Sequence, residues 1–132
     1  MKGLVMVVDD HALIRRRLRE IFEPENLIVS DAADGAEGIQ KAQAEKPSLI
    51  ILDLSMPVMN GLGAARQLKV LMPDVPLLMF TNNVAAIMDK EARSAGIAAV
   101  IAKSDSDALE QLLARTKALL GLEGEGSRQR AS

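Results

Sequence analysis

The sequence predicts an α/β fold in which helices cover both faces of a parallel sheet. Five short apolar runs recur along the chain, and helical patterns separate them. The runs Leu4 to Val8 and Leu49 to Leu52 are apolar throughout, as is typical of parallel strands buried on both faces. The five expected strands are Leu4 to Val8, Leu27 to Val29, Leu49 to Leu52, Leu77 to Phe80 and Ala98 to Ile101. Regular alternation of strand and helix indicates right-handed crossover connections.

The first two helices have recognisable start and stop signals. Asp10 is expected to cap the first helix, which Pro24 ends. Asp34, followed three residues later by Glu37, reads as a capping box at the start of the second helix. That helix should stop before Pro47.

Three further helices follow from similar signals. They are Gly61 to Leu71 capped by Asn60, Val84 to Ser94 capped by Asn82 or Asn83, and a last helix that opens at Ser104 to Asp107 and ends at Gly121. Gly96 suits a left-handed exit after the middle one. We expect one domain over residues 1–121 and a flexible C-terminal tail over residues 122–132.

Composition excludes several classes of protein. The net charge of −2 gives no general attraction to nucleic acid. The chain has no cysteine, which excludes disulfides and thiolate chemistry, and only two phenylalanines as aromatics, which leaves little for stacking on bases. No apolar stretch approaches the roughly 20 residues that span a bilayer, so we expect no membrane contact and a cytoplasmic location.

Polar side chains follow four of the five expected strands. Asp9 and Asp10 follow the first, Asp53 the third, Thr81 the fourth and Lys103 the fifth. The carboxyl ends of parallel strands share one edge, where such sheets bind ligands. Clustered carboxylates repel each other unless a cation joins them, and Mg²⁺ prefers oxygen ligands. We therefore expect an Mg²⁺ site there.

The same residues suit phosphoryl transfer. An aspartate can attack phosphorus to form an acyl phosphate, and Asp53 is the best candidate because it follows a central strand. Lys103 would add positive charge, and the Thr81 hydroxyl could donate to a phosphoryl oxygen. The carbonyl group of Ser55 could be a third protein ligand of the metal, beside the carboxylates.

These residues resemble the receiver domain of bacterial two-component response regulators, such as the chemotaxis regulators. The resemblance covers about residues 3 to 120. It includes Val7-Val8-Asp9-Asp10-His11, Leu52-Asp53-Leu54-Ser55-Met56-Pro57, Asn60-Gly61, Phe80-Thr81 and Lys103. It implies a flavodoxin-like, three-layer (βα)5 fold with strand order 2-1-3-4-5.

The resemblance also implies the chemistry and the partners. The phosphohistidine of a sensor histidine kinase or phosphotransfer protein would phosphorylate Asp53. Asp10 and Asp53 would bind Mg²⁺ directly and Asp9 mostly through water, while Thr81 and Lys103 would hold the phosphoryl oxygens. Such a domain catalyses only its own phosphorylation and dephosphorylation, and signals to a downstream protein target. We expect a monomer or weak dimer without direct nucleic-acid binding.

Three positions depart from the family pattern. Asn82 stands where most receivers have a small residue, and could narrow access to Asp53. Ser104 replaces a common proline, so the preceding peptide bond should be trans. Val100 replaces a common aromatic residue and cannot perform an aromatic rotamer switch.

Alternatives remain open at this stage. A flavodoxin-type electron carrier would need a Ser/Thr-rich phosphate loop in place of Asp9-Asp10-His11. A haloacid-dehalogenase-type phosphatase would need a second acid where Ser55 stands. A degenerate receiver would act as a phosphorylation-independent interaction module. His11 reads as a surface helix residue, and a group of arginines reads as a solvated face that could dock a kinase: Arg15, Arg16, Arg17 and Arg19.

Overall fold

The computed structural model describes residues 3–82 and 89–122 and contains a five-stranded parallel sheet. The strands are β1 (Leu4–Val8), β2 (Ile28–Ala32), β3 (Leu49–Leu52), β4 (Leu77–Thr81) and β5 (Ile97–Ala102). The helices are α1 (Ala12–Phe22), α2 (Gly35–Glu45), α3 (Gly61–Leu71), α4 (Asp89–Ser94) and α5 (Ala108–Leu120), with a short 3₁₀ turn at Glu23–Glu25. The strand order is β2-β1-β3-β4-β5 and every pair is parallel, which confirms the predicted fold.

Two hydrophobic layers enclose the sheet, because successive side chains of a strand point to opposite faces. Val5 and Val7 of β1 pack with Leu18 and Phe22 of α1 and with Leu112 of α5. On the other face, side chains of the central strands pack with α2, α3 and α4: Met6, Val8, Ile50, Leu52, Ile39, Leu68 and Ala92. Burial on both faces explains why β1 and β3 read as unbroken apolar runs.

Most predicted helix ends are confirmed. Asp34 accepts a hydrogen bond from the Glu37 amide at 2.8 Å, and the Glu37 side chain accepts one from the Ala33 amide at 2.7 Å. Asn60 caps α3 by accepting from the Gly63 amide at 2.9 Å. Gly96 and Gly121 have the left-handed backbone that a helix exit requires, with φ of 83° and 79°.

The prediction that Asp10 caps α1 is wrong. His11 is the residue at the N-cap, and its side chain makes no capping hydrogen bond. The carboxylate that accepts from the His11 amide belongs to Asp9, at 2.9 Å. Asp10 instead directs its carboxylate toward the His11 ring.

Some predicted boundaries shift or fall outside the described residues. β2 begins one residue later than predicted and continues to Ala32. The described part of the fourth helix is Asp89–Ser94, and the predicted start at Val84, with a cap at Asn83, lies outside the described residues. So does the predicted tail beyond Leu122. Among the helices of the described ranges, none has the length and apolar character needed to cross a membrane.

Candidate functional site

The carboxyl edge of the sheet brings the predicted residues together. Asp9 follows β1, Asp53 follows β3, Thr81 ends β4 and Lys103 follows β5. The Asp53 amide donates to the Val8 carbonyl oxygen at 3.0 Å, and the Lys103 amide donates to the Thr81 carbonyl oxygen at 3.0 Å. The backbone hydrogen bonds of the sheet therefore extend to Asp53 and Lys103 and fix the backbone that carries these two side chains.

Lys103 bridges two buried carboxylates. Its Nζ lies 2.7 Å from Oδ2 of Asp9 and 3.3 Å from Oδ2 of Asp53. The three side chains are at most 7% exposed, and the ammonium lies 5.9 Å from the centre of the Phe80 ring. Burying charge is costly unless it is paired, so this ammonium offsets part of the repulsion between the acids. The predicted contact of Lys103 with a phosphoryl group remains a prediction.

A potential cation site adjoins this ion pair. Asp9, Asp10, His11 and Asp53 each offer one ligand atom, and these atoms lie within 4.8 Å of one another. The three carboxylates supply the hard oxygen ligands that Mg²⁺ requires, so the residues fit the predicted ion. Ser55 lies in the loop after Asp53 and is exposed. Its role as a carbonyl ligand stays a prediction.

His11 is exposed, as predicted, but it is more than a surface helix residue. Its side chain is 63% exposed, yet Nδ1 lies 3.0 Å from Oδ1 of Asp9 and 3.1 Å from Oδ1 of Asp10. The available sequence signal was its position directly after two acids that share a ligand-binding edge. The structure therefore adds an imidazole to the predicted cluster.

Two of the four arginines on α1 contact the protein backbone rather than forming a purely solvated face. Arg15 donates from Nη1 to the carbonyl oxygen of Asp9 at 2.7 Å. Arg19 donates from Nη1 to the carbonyl oxygen of Val29 at 2.9 Å. Arg16 and Arg17 are exposed, as predicted. Arg15 thus holds the backbone of the cluster in place.

The backbone after Asp53 turns sharply to meet α3. The Gly61 amide donates to the Leu54 carbonyl oxygen at 2.8 Å. A β-carbon at Gly61 would overlap the carbonyl oxygen of Asp53, so only glycine fits there. In the loop between Asp53 and Gly61, Val58 is 84% exposed and has a φ of 69°. This left-handed conformation is unusual for a β-branched residue.

The three departures from the family pattern have defined places. Asn82 is exposed beside the buried Thr81. The described ranges contain no cis peptide bond, which confirms the trans bond predicted before Ser104. Val100 is partly buried and packs against the layer that contains α2 and α3. A valine therefore fills the position that the family pattern assigns to an aromatic switch.

Comparison with known proteins places this architecture in a family. A family model described as the response regulator receiver domain matches residues 5–114. The fold is that of a flavodoxin-like α/β domain with an acidic pocket at the sheet edge. The chain belongs to the response regulator receiver domain family. It is therefore a receiver domain of the kind found in two-component response regulators.

Two similar solved structures are chains that the match covers almost from end to end. The Vibrio cholerae chemotaxis protein CheY4 is 27% identical, with a TM-score of 0.79 over 90% of this chain and 99% of that one. A Thermotoga maritima response regulator, TrrA, solved in complex with Mg²⁺-BeF, is 27% identical, with a TM-score of 0.80 over 90% of this chain and 99% of that one.

Among curated relatives, the transcriptional regulatory protein PdtaR of Mycobacterium tuberculosis is 36% identical in an alignment 129 residues long that covers 92% of this chain and 62% of that protein. A Vibrio parahaemolyticus protein-glutamate methylesterase/protein-glutamine glutaminase is 41% identical in an alignment 80 residues long that covers 59% of this chain and 21% of that protein. The chain thus spans less than two thirds of the length of these curated relatives.

Proposed function

We propose that this receiver accepts a phosphoryl group on Asp53 from the phosphohistidine of a sensor histidine kinase or phosphotransfer protein, in an Mg²⁺-dependent reaction. The observation that carries the proposal is the buried Asp53 carboxylate, held by Lys103 at 3.3 Å and grouped with the carboxylates of Asp9 and Asp10. The TrrA complex with Mg²⁺-BeF supports the choice of metal by similarity.

In the proposed reaction, a carboxylate oxygen of Asp53 attacks the phosphorus atom as the phosphorus–nitrogen bond of phosphohistidine breaks. The imidazole nitrogen of the donor leaves with the bonding electron pair and takes up a proton. Asp9, Asp10 and Asp53 would hold Mg²⁺, with the Ser55 carbonyl as a further ligand. When bound, the ion neutralises charge that develops on the phosphoryl oxygens.

Two residues of the chain have separate proposed roles. Lys103 exchanges its contact with Oδ2 of Asp53 for one with a phosphoryl oxygen, while it keeps the shorter contact with Asp9. The Thr81 hydroxyl donates to another phosphoryl oxygen. Thr81 and Lys103 are also joined by the hydrogen bond from the Lys103 amide to the Thr81 carbonyl oxygen. Phosphorylation would therefore change the contacts at the ends of β4 and β5.

We propose that the domain catalyses only its own phosphorylation and dephosphorylation, and that it signals through contacts with a downstream protein target. We propose that it does so as a monomer or weak dimer, without direct contact with nucleic acid or membrane. A cytoplasmic location remains a prediction from the sequence.

The test is the mass of the intact protein after incubation with acetyl phosphate. With Mg²⁺ the wild type should gain one phosphoryl group, and a chelator or Asp53→Asn should prevent the gain. Asp74→Asn, which changes an exposed aspartate in the loop after α3, is the matched control and should label normally. Undiminished labelling of Asp53→Asn would contradict the assignment. An unlabelled wild type that still binds Mg²⁺ would favour the phosphorylation-independent interaction module.

A further inference from the structure

His11 turns one ring nitrogen toward two carboxylates of the cation site. We propose that this Nδ1 is a ligand of the same centre, and that it gives the centre a preference for transition metals such as Zn²⁺ and Ni²⁺ over Mg²⁺. The inference rests on the proposed function, because it takes Asp9, Asp10 and Asp53 as the cation site.

The spacing of the atoms fits a shared ion. Nδ1 lies 3.0 Å from Oδ1 of Asp9 and 3.1 Å from Oδ1 of Asp10. Two ligands at neighbouring positions around an ion with bonds of about 2.1 Å are themselves separated by roughly 3 Å. Asp9 and Asp10 each supply one oxygen at nearly the same distance from Nδ1, and Asp53 completes the cluster.

The two oxygens of Asp9 are divided between different partners. Oδ2 faces the ammonium of Lys103 at 2.7 Å. Oδ1 faces His11, accepting from its backbone amide at 2.9 Å and contacting Nδ1 at 3.0 Å. A cation on the Oδ1 side can therefore bind Asp9 and His11 while Lys103 keeps its contact with Oδ2.

The chemistry of the ligand sets the selectivity. Carboxylates alone suit Mg²⁺, whereas imidazole suits Zn²⁺ and Ni²⁺, and divalent affinities for mixed sites rise toward the end of the first transition row. His11 should therefore contribute much to the binding of Zn²⁺ or Ni²⁺ and little to the binding of Mg²⁺. A transition metal could then replace Mg²⁺ in this receiver at far lower free concentration than in a site made of carboxylates alone.

The composition of the chain makes the test direct. His11 is the only histidine and there is no cysteine, so protein made without a histidine tag has no competing imidazole or thiolate. Nitrogen NMR of the single labelled imidazole would follow Nδ1 during additions of Zn²⁺ alone and of Mg²⁺ alone. Saturating Zn²⁺ should shift the Nδ1 resonance strongly, Mg²⁺ should not, and Asp10→Asn should weaken the Zn²⁺ response.

The matched variant is His11→Asn, because the asparagine amide keeps a hydrogen-bond donor near the position of Nδ1 but is a poor ligand for transition metals. Titration calorimetry should show Zn²⁺ affinity reduced at least about tenfold in His11→Asn, with a much smaller change for Mg²⁺. An Nδ1 resonance that ignores saturating Zn²⁺, or an equal loss of Zn²⁺ and Mg²⁺ affinity, would overturn the inference. The proposed function fails separately, if the wild type neither binds Mg²⁺ nor labels at Asp53.

Discussion

The ammonium of Lys103 lies 2.7 Å from Oδ2 of Asp9, closer than it lies to the proposed phosphoacceptor, and both side chains are almost fully buried. This pair anchors Lys103 at a residue that keeps its charge throughout the proposed reaction. The lysine can then exchange its contact at Asp53 for one with a phosphoryl group without losing its place.

Replacing Lys103 with methionine should destabilise the protein in chelator by about 3–5 kcal/mol, because two buried carboxylates lose their cation. Urea unfolding measures the change. Lys117→Met is the matched control, since the Lys117–Glu25 pair is nearly as short at 2.8 Å but about one third exposed. That control should cost at most about 1 kcal/mol. Equal decreases in the free energy of unfolding for the two variants would show that burial does not increase the contribution of the Lys103 ion pair to stability.

Asp53→Asn should stabilise the metal-free protein by on the order of 1 kcal/mol, because it removes one negative charge from a cluster of three carboxylates, of which Lys103 contacts only two. Asp9→Asn should not, since it breaks the shorter contact with Lys103. Thermal unfolding in chelator compares the two variants. If Asp53→Asn proves less stable than the wild type, the attraction between Asp53 and Lys103 outweighs the repulsion among the acids.

Gly61→Ala should destabilise the fold by more than about 2 kcal/mol, because the new β-carbon would meet the carbonyl oxygen of Asp53. Gly63→Ala, two residues later in the same helix, would place a β-carbon 3.3 Å from the flexible Met59 side chain and 3.5 Å from the side-chain oxygen of Asn60, an ordinary contact distance. It should be neutral or stabilising by up to about 1 kcal/mol through helix propensity. Chemical denaturation of both variants checks the difference, and similar values for the two would contradict the close contact.

Val58→Gly should stabilise the protein by about 1 kcal/mol, because glycine adopts the left-handed backbone at this position without strain. The valine side chain is exposed, so its removal loses little packing. The change is read from the urea midpoint. Exposed Val70→Gly, inside α3, is the control and should destabilise instead. A loss of stability in Val58→Gly would mean that the loop relaxes to another conformation.

The response to a phosphoryl mimic should be small and should depend on Thr81. With Val100 in place of an aromatic residue, the main new interaction is a hydrogen bond that the Thr81 hydroxyl donates to the phosphoryl mimic, on the order of 1.5–3 kcal/mol. A ligand shifts an equilibrium only by its differential interaction with the two states. Amide shifts with beryllofluoride should fall sharply in Thr81→Ala and persist in Val100→Ala. Large shifts across β5 that survive Thr81→Ala would show another route.

The fold was predictable because the apolar runs and the capping residues agree with each other. Leu4–Val8, Leu49–Leu52 and the α3 helix have the predicted bounds. β2 was placed less well, because it lies at the sheet edge and its second half contains the polar residues Ser30 and Asp31. A pattern of apolar residues marks a buried strand far better than an edge strand.

The sequence predicted the part of the site that consists of residues at the carboxyl ends of strands. The meeting of Asp9, Asp53, Thr81 and Lys103 follows from parallel strands that end at one edge. The contacts of His11 and Arg15 do not, because they depend on how side chains at the start of α1 turn back toward the preceding loop. Hydrophobic periodicity carries no information about such polar contacts.

The close approach of Gly61 to the Asp53 carbonyl oxygen has a consequence for how receivers of this kind diverge. One wall of the pocket is held by backbone against backbone and tolerates almost no substitution. At the ends of β4 and β5, the Lys103 amide donates to the Thr81 carbonyl oxygen, and the next residues along the chain, Asn82 and Ser104, are exposed. Descendants of such a chain can therefore evolve contacts with new targets by exchanging these exposed neighbours, while Lys103, Thr81 and the wall at Gly61 preserve the chemistry.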